Sequence, residues 1–188
     1  MKLLGIHGKA RAGKDTIASY LTNNRDFERY AFADPIRDAV STMFDLSEEQ
    51  IHGNQKEKVI DWVGKSPRQL MQTLGTEWGR DLVHPDLWLK LAQRHWENLT
   101  EYCIDTFGEI PEGLVIPDVR FENEAKWIRE NGMLIHVVRP DNWEVASHIS
   151  EAGIEFDPKK GDGHILNSGT LEELHELLRV MFPQTVTP

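Results

Sequence analysis

The residues with the clearest chemistry lie near the start of the chain, in Leu3-Leu4-Gly5-Ile6-His7-Gly8-Lys9-Ala10-Arg11-Ala12-Gly13-Lys14-Asp15-Thr16. Gly8, Gly13 and Lys14 fit the spacing G-x-x-x-x-G-K, which lets a backbone curl until successive N–H groups point at one anion. Lys14 adds an ammonium, and the helix expected to open there adds the positive end of its dipole. That chemistry is phosphate binding. The usual pattern has Ser or Thr after the lysine, whereas this chain has Asp15 and then Thr16. A hydroxyl in that slot would ligate Mg²⁺. Asp15 must therefore bind the metal as a carboxylate, hold a metal-bound water, or serve only as a helix cap.

Further candidates lie downstream. Asp118 and Arg120 follow the apolar run Leu114-Val115-Ile116, so they fall at a strand tip, where open α/β sheets place ligands. Arg68 and Gln72 are spaced to share one helical face and could offer a guanidinium and an amide together; Arg80 comes one turn after Thr76. Arg37 lies in the first turn of an expected helix, where a cation opposes the dipole unless an anion faces it. Each of these arginines also fits a solvated surface position, and Asp118 with Arg120 fits a surface ion pair. Trp88 and Trp96 fall among leucines at helical spacing and read as core.

These residues need elements to hold them. The pattern predicts a first strand running into the glycine loop, a helix from Lys14 stopped near Asn23-Asn24, and a second strand at Tyr30-Ala31-Phe32-Ala33. Asp34 and Pro35 then open a helix as N-cap and first residue. Residues 45–66 are polar, with one short helix. Ser66-Pro67 starts a helix through Leu74, a further helix carries Trp88 and Trp96, and residues 100–112 read as a loop. Strands follow at Leu114–Ile116, Met133–Val138 and His164–Leu166. A helix around Glu124–Arg129 is stopped by Asn131-Gly132, and Thr170 with Glu173 forms a capping box for the last helix. Residues 141–162 read as a mobile polar excursion. Alternating strands and helices imply a mostly parallel sheet with helices on both faces and a phosphate site at the strand tips.

At 188 residues with 39% hydrophobic content, the chain fits one domain with a sizeable core. Its net charge of −10 argues against a broad nucleic-acid or membrane-surface binder, so anion binding must be local. Cys103 is the single cysteine, which fits a reducing cytoplasm, and neither a secretory leader nor an apolar run of spanning length is expected.

Several separate motifs in one order resemble the deoxynucleoside monophosphate kinases of T4-like phages, within the P-loop nucleoside monophosphate kinases. They are Gly8–Thr16 with the unusual Lys14-Asp15-Thr16, Pro35–Asp38, Arg68–Thr76, Ile116–Arg120, Ile135–Pro140, His148–Gly153 and Asn167–Leu174. The resemblance implies a three-layer P-loop fold: a core of residues 1–34, 112–140 and 163–188, a helical monophosphate-binding insertion at 35–111, and a lid at 141–162. It implies transfer of the γ-phosphoryl of ATP, with Mg²⁺, to deoxynucleoside monophosphates such as dGMP, dTMP or dCMP derivatives. Arg11, Gly13, Lys14, Asp15 and Thr16 are assigned by it to ATP and metal. Ile36, Arg37, Arg68, Thr76, Trp88, Asp118, Arg120 and Glu124 are assigned to the monophosphate, with Lys14, Asp118 and Arg120 nearest the chemistry. The expected setting is the cytoplasm, that of a host if the chain is phage-encoded, with a homodimer as one allowed assembly. Two other readings stand beside it: a P-loop kinase of another small metabolite, such as dephospho-coenzyme A or phosphomevalonate, and a nucleotide-dependent switch. The switch reading lacks a guanine-specifying N-K-x-D motif.

Overall fold

The computed structural model describes residues 2–140 and 153–183. Among them, five parallel strands form one sheet in the order β2-β3-β1-β4-β5: β1 (Lys2–His7), β2 (Phe27–Arg29), β3 (Gly113–Ile116), β4 (Gly132–Val138) and β5 (Gly163–Leu166). β1 lies at the centre, Leu4 standing between Val115 and Met133. A strand paired on both edges and covered on both faces must be apolar throughout, which is why Leu3, Leu4 and Ile6 are all buried. Leu4 and Ile6 pack with Ile17 and Leu21 of α1 (Lys14–Arg25) and Leu174 and Leu178 of α7 (Leu171–Met181). Gly5 points the other way, toward α6 (Glu122–Asn131), where a Cβ would come 2.3 Å from Ile128 Cδ1. The parallel, helix-covered sheet expected from the sequence is therefore the one that forms.

Contacts divide the chain into two units, Met1–Ala31 with His95–Pro188, and Phe32–Arg94. The first holds the sheet. The second is mostly helical: α2 (Asp34–Phe44), α3 (Glu48–Ile51), α4 (Pro67–Gln72), a π-helix (Thr73–Val83) and the start of α5 (Leu87–Phe107).

Several expectations are corrected. The second strand is Phe27–Arg29, not Tyr30–Ala33, because its partner β3 ends at Ile116 and Pro117 follows, leaving the ladder nothing beyond the bond from Tyr30 N to Val115 O. Tyr30 and Ala31 are buried without being sheet. Residues 100–107 are helix rather than loop, since no Gly or Pro interrupts α5 before Gly108. Asp34 is the first helical residue and Ala33 the N-cap; the Asp34 carboxylate instead accepts from Arg37 Nη1 at 2.7 Å. α1 runs past Asn23-Asn24 to Arg25, ended by Asp26 in the left-handed region. The helix opened by Ser66 widens at Thr73, where Gly75 and Gly79 let Ile36 and Trp88 approach the backbone: Cβ atoms there would lie 2.9 Å from Ile36 Cδ1 and 2.4 Å from Trp88 Cζ2.

Of the expected lid, residues 141–152, including the segment around His148, lie outside the described residues. Residues 153–162 are not an excursion, because Ile154 and Asp162 are buried. The Asp162 carboxylate accepts two bonds from Arg129, Nε to Oδ1 at 2.8 Å and Nη2 to Oδ2 at 2.7 Å, and Oδ2 also accepts from the Asp157 N–H at 2.9 Å. His136 Nε2 lies 3.1 Å from the same oxygen. Burial alone would raise the Asp162 pKa, but Arg129, the Asp157 N–H and His136 outweigh it and hold the group at about 2. Burial, reinforced by neighbouring His7, pushes His136 below 6.5 despite the pull of Asp162.

Linkage fixes the signs. A depressed carboxylate stabilises the fold at neutral pH and loses that contribution as pH falls toward 2, whereas a depressed histidine weakens the fold as soon as pH drops below 6.5, where the unfolded chain takes the proton first. Asp162→Asn leaves the Arg129 guanidinium, 7% exposed, with the outlying Glu122 as its sole counter-charge among the described residues. Urea unfolding at pH 7 should show a loss of about 3 kcal/mol, the lower end for a broken buried pair. A midpoint unchanged from the parent chain would show that the cluster does not hold residues 153–162.

Candidate functional site

The loop after β1 is built by exclusion of side chains. A Cβ on Gly8 would come 2.4 Å from Val137 O, so only glycine lets the chain leave β1 beside β4. Gly13, at φ 102°, is the N-cap of α1, and a Cβ there would lie 2.5 Å from Asn167 Nδ2. Between them Arg11 takes φ 63°, a strained setting for a residue with a side chain. Lys14 Nζ donates to Gly8 O and Lys9 O, both at 2.8 Å, so the ammonium is held within the loop's own curl. Arg11 is exposed, and Thr16 half-buried, one residue beyond Asp15 on α1.

The cap-only reading of Asp15 is excluded by position, because Gly13 occupies the N-cap and Asp15 stands in the first turn. Its carboxylate is 85% exposed and paired loosely with Arg29 Nη2 at 3.7 Å. An exposed carboxylate followed by a hydroxyl suits a hard cation such as Mg²⁺, which prefers one or two protein oxygens and retained waters.

Asn167 is a support of the glycine loop that sequence reasoning missed as such. It is buried at the end of β5, its N–H donates to Val138 O at 2.8 Å, and its Nδ2 donates to Ala12 O at 2.9 Å. The phosphate loop is thus tied to the far strand. The sequence signal was an asparagine directly after the last strand, a position that reads equally as a turn.

At the tip of β3, Val119 N donates to Ile6 O at 3.3 Å, and His7 Nδ1 lies 2.9 Å from Val119 O. Half-buried Asp118 and exposed Arg120 are thereby fixed beside the end of β1. Glu124 is buried, and its Oε2 accepts from the N–H groups of Arg120 (2.8 Å) and Phe121 (3.0 Å), so its carboxylate caps α6 and shapes this turn. The structure therefore brings together Arg11, Gly13, Lys14, Asp15, Thr16, Asp118, Arg120 and Glu124 at the tips of adjacent strands.

The other candidates belong to the Phe32–Arg94 unit. Ile36 is buried against Gly75, Thr76 is half-buried in the π-helix, and Trp88 is buried with Nε1 donating to Gly75 O at 2.7 Å. Ile36 and Trp88 thus meet at one residue, Gly75, next to Thr76. Ser66 caps α4, accepting from Gln69 N, while Gln69 Oε1 accepts from Ser66 N. Arg68, in the first turn, pairs with Glu57, as Arg37 does with Asp34. Among the described residues, no three His, Cys, Asp or Glu side chains form a metal cluster, and no helix is long and apolar enough to cross a membrane.

Comparison with known proteins bears on this arrangement. The family model described as deoxynucleotide monophosphate kinase matches residues 2–65 and 54–178. A candidate deoxynucleotide monophosphate kinase of Acanthamoeba polyphaga mimivirus is 36% identical, over 93% of this chain and 93% of that protein. The deoxynucleotide monophosphate kinase of Enterobacteria phage T4 is 25% identical, over 95% and 98%. Among solved structures, a dephospho-CoA kinase from Campylobacter jejuni aligns over 96% of each chain with a TM-score of 0.49 and 16% identity, a likeness too distant to say anything of substrate. On the family match, and with a glycine-bounded phosphate loop at the tip of a central parallel strand, this chain belongs to the deoxynucleotide monophosphate kinase family.

Proposed function

We propose that the family's reaction, transfer of the γ-phosphoryl of ATP to a deoxynucleoside monophosphate, is divided in this chain between the phosphate loop and two sets of arginines. ATP phosphates lie against the backbone of residues 8–14, with Lys14 and Arg11 supplying charge. The observation that carries this reading is the loop itself: its turned backbone admits no side chain at Gly8 or Gly13, and its lysine is already held inside the curl. Asp15 and Thr16 would hold Mg²⁺, which neutralises charge on the β- and γ-phosphate oxygens when bound. Arg120 at the β3 tip is assigned to the monophosphate, and Arg37 and Arg68, each described within the helical unit by itself, are assigned to the same substrate by the motifs that carry them. Ile36, Thr76 and Trp88 line the base side, and Glu124 holds the turn that presents Arg120.

Little covalent chemistry is asked of the protein. The attacking oxygen of a monophosphate is already anionic, so no general base is needed, and catalysis reduces to in-line positioning and charge compensation over the equatorial oxygens. Asp118 then has the role of orienting water or cation at the strand tips. Which bases are accepted is decided by an ADP-release assay over the eight common nucleoside and deoxynucleoside monophosphates, with dephospho-coenzyme A as control. Turnover of a deoxynucleoside monophosphate is expected; turnover of the control alone would reverse the assignment.

Lys14→Ala should lower kcat by about 10² or more with an intact melting curve, because a charge placed on the transferring group is lost while the core is untouched. A folded variant with near-parent kcat would sink the role given to the loop. Arg68→Ala and Arg120→Ala should each raise KM for the monophosphate about tenfold while that for ATP changes less than about twofold. Equal effects on both substrates would refute the division. Asp15→Asn should raise the Mg²⁺ concentration giving half-maximal rate, leaving metal-free ATP binding unchanged or tighter as repulsion is removed. Superimposable magnesium titrations would retire the metal role.

A further inference from the structure

His7 is the last residue of β1 and directly precedes the loop glycine Gly8. Both ring nitrogens are occupied, and by partners of opposite kind. Nδ1 faces Val119 O at 2.9 Å, a group that can only accept, so Nδ1 carries the proton. Nε2 faces the backbone N–H of Ile154 at 3.2 Å, a group that can only donate, so Nε2 carries the lone pair. One tautomer alone satisfies both bonds, and it is neutral.

The bond to Val119 O acts on a particular peptide. Val119 N–H is already held by Ile6 O, and the Arg120 N–H by Glu124 Oε2. The Val119 carbonyl between them is fixed by His7. That carbonyl belongs to the peptide joining Val119 to Arg120, so its plane sets the direction in which Arg120 leaves the backbone. Losing the bond leaves that peptide held from one side alone, by Glu124, at the point where a substrate arginine begins.

The surroundings keep the ring uncharged. Lys14 from α1, Arg120 from the turn and Arg129 from α6 all face it with positive charge, and His136 of β4 presents its ring at 5.3 Å between centroids. The Asp162 carboxylate lies beyond His136 and is held by Arg129, while Glu155, next to Ile154 in the chain, is exposed. Burial pushes His7 down from its ordinary value, though the bond to Val119 O pulls the other way. An added proton would also set N–H against N–H at Ile154.

We propose that His7 is a positioning residue for the transfer step: as a neutral Nδ1–H imidazole it clamps the turn bearing Asp118 and Arg120 to the strand that opens the phosphate loop, and its second nitrogen anchors the chain at Ile154. The proposal rests on the assignment of Arg120 to the monophosphate made above. It places a side chain that touches no substrate in control of how a substrate arginine is aimed.

The test uses the full chain and three variants with melting curves as controls. His7→Phe keeps a ring but removes both bonds. His7→Asn keeps a donor near the Nδ1 position, and His7→Gln keeps an acceptor near Nε2. His7→Phe should lower kcat/KM for the monophosphate about tenfold or more, as misaligned groups do, with KM for ATP within about twofold of the parent. His7→Asn should recover to within about threefold of the parent and His7→Gln should not; this pair decides the matter even where His7→Phe fails to fold. ¹⁵N spectra of the parent at pH 7 should show a protonated Nδ1 and a bare Nε2 for His7. An imidazolium or Nε2–H form, parent-like kinetics in His7→Phe, or equal impairment in His7→Asn and His7→Gln would overturn the proposal. Arg120→Ala run alongside separates the two failures. If it is impaired while His7→Phe is normal, the clamp alone fails; if it is itself normal, the reading of the turn fails and the clamp's purpose with it.

Discussion

A loop that gives its N–H groups to a phosphate cannot use them to hold itself together. Sheet and helix are stable because each backbone donor finds a backbone acceptor, whereas the stretch from Gly8 to Gly13 lies outside both and turns on a long bond from Ala12 N to Lys9 O at 3.3 Å. The shape must be imposed from outside. Val137 O blocks any side chain at Gly8, Asn167 ties Ala12 O to the end of β5, and Lys14 bridges the carbonyls of Gly8 and Lys9. Each support arises from a different element, so the loop is only as well defined as the sheet beneath it. A buried central β1, paired on both edges, is what that requirement demands.

The same need for external support explains the polar core of the sheet unit. Strand tips are where parallel sheets expose unpaired backbone, and here the chain returning at residues 153–162 covers part of that end. A bare apolar segment could cover it, but would leave donors and acceptors unsatisfied. Asp162 instead gathers Arg129, His136 and the Asp157 N–H, while Ile154 donates to His7. The cluster is buried, so it tolerates no missing member. It joins α6, β4 and the returning chain in one network that ends one residue short of the phosphate loop.

What the sequence made legible was local. The loop spacing, the strand before it and the helix after it occupy adjacent residues, and the caps at Ser66 and Thr170 are likewise contained within four positions. What stayed hidden was nonlocal. Nothing within Tyr30–Ala33 says that the ladder available to it ends at Ile116, and β-forming residues there are buried for another reason. Asp34 has the composition of a cap, yet Arg37 three residues on offers the carboxylate a charged partner. Gly75 and Gly79 look like helix weaknesses until Ile36 and Trp88 are seen filling the space where their side chains would be. Asp162, Asn167 and His7 were given no role because the partners that give them meaning lie 33, 155 and 112 positions away.

A net charge of −10 poses a difficulty for a protein whose substrates are anions, since the mean field repels both nucleotides. The resolution lies in how its cations are kept. Arg37 is paired with Asp34 and Arg68 with Glu57, each within the helical unit, and Arg129 is committed to Asp162 in the sheet unit. The first two pairs are partly exposed, so each contributes little and separates at little cost. The third is buried and does not open without loss of structure. A phosphate carrying up to two charges and three acceptor oxygens can outcompete one half-exposed carboxylate for a guanidinium, but it cannot displace a buried one. The degree of burial of each carboxylate partner, rather than the number of arginines, therefore separates cations that remain available to a substrate from cations that hold the fold.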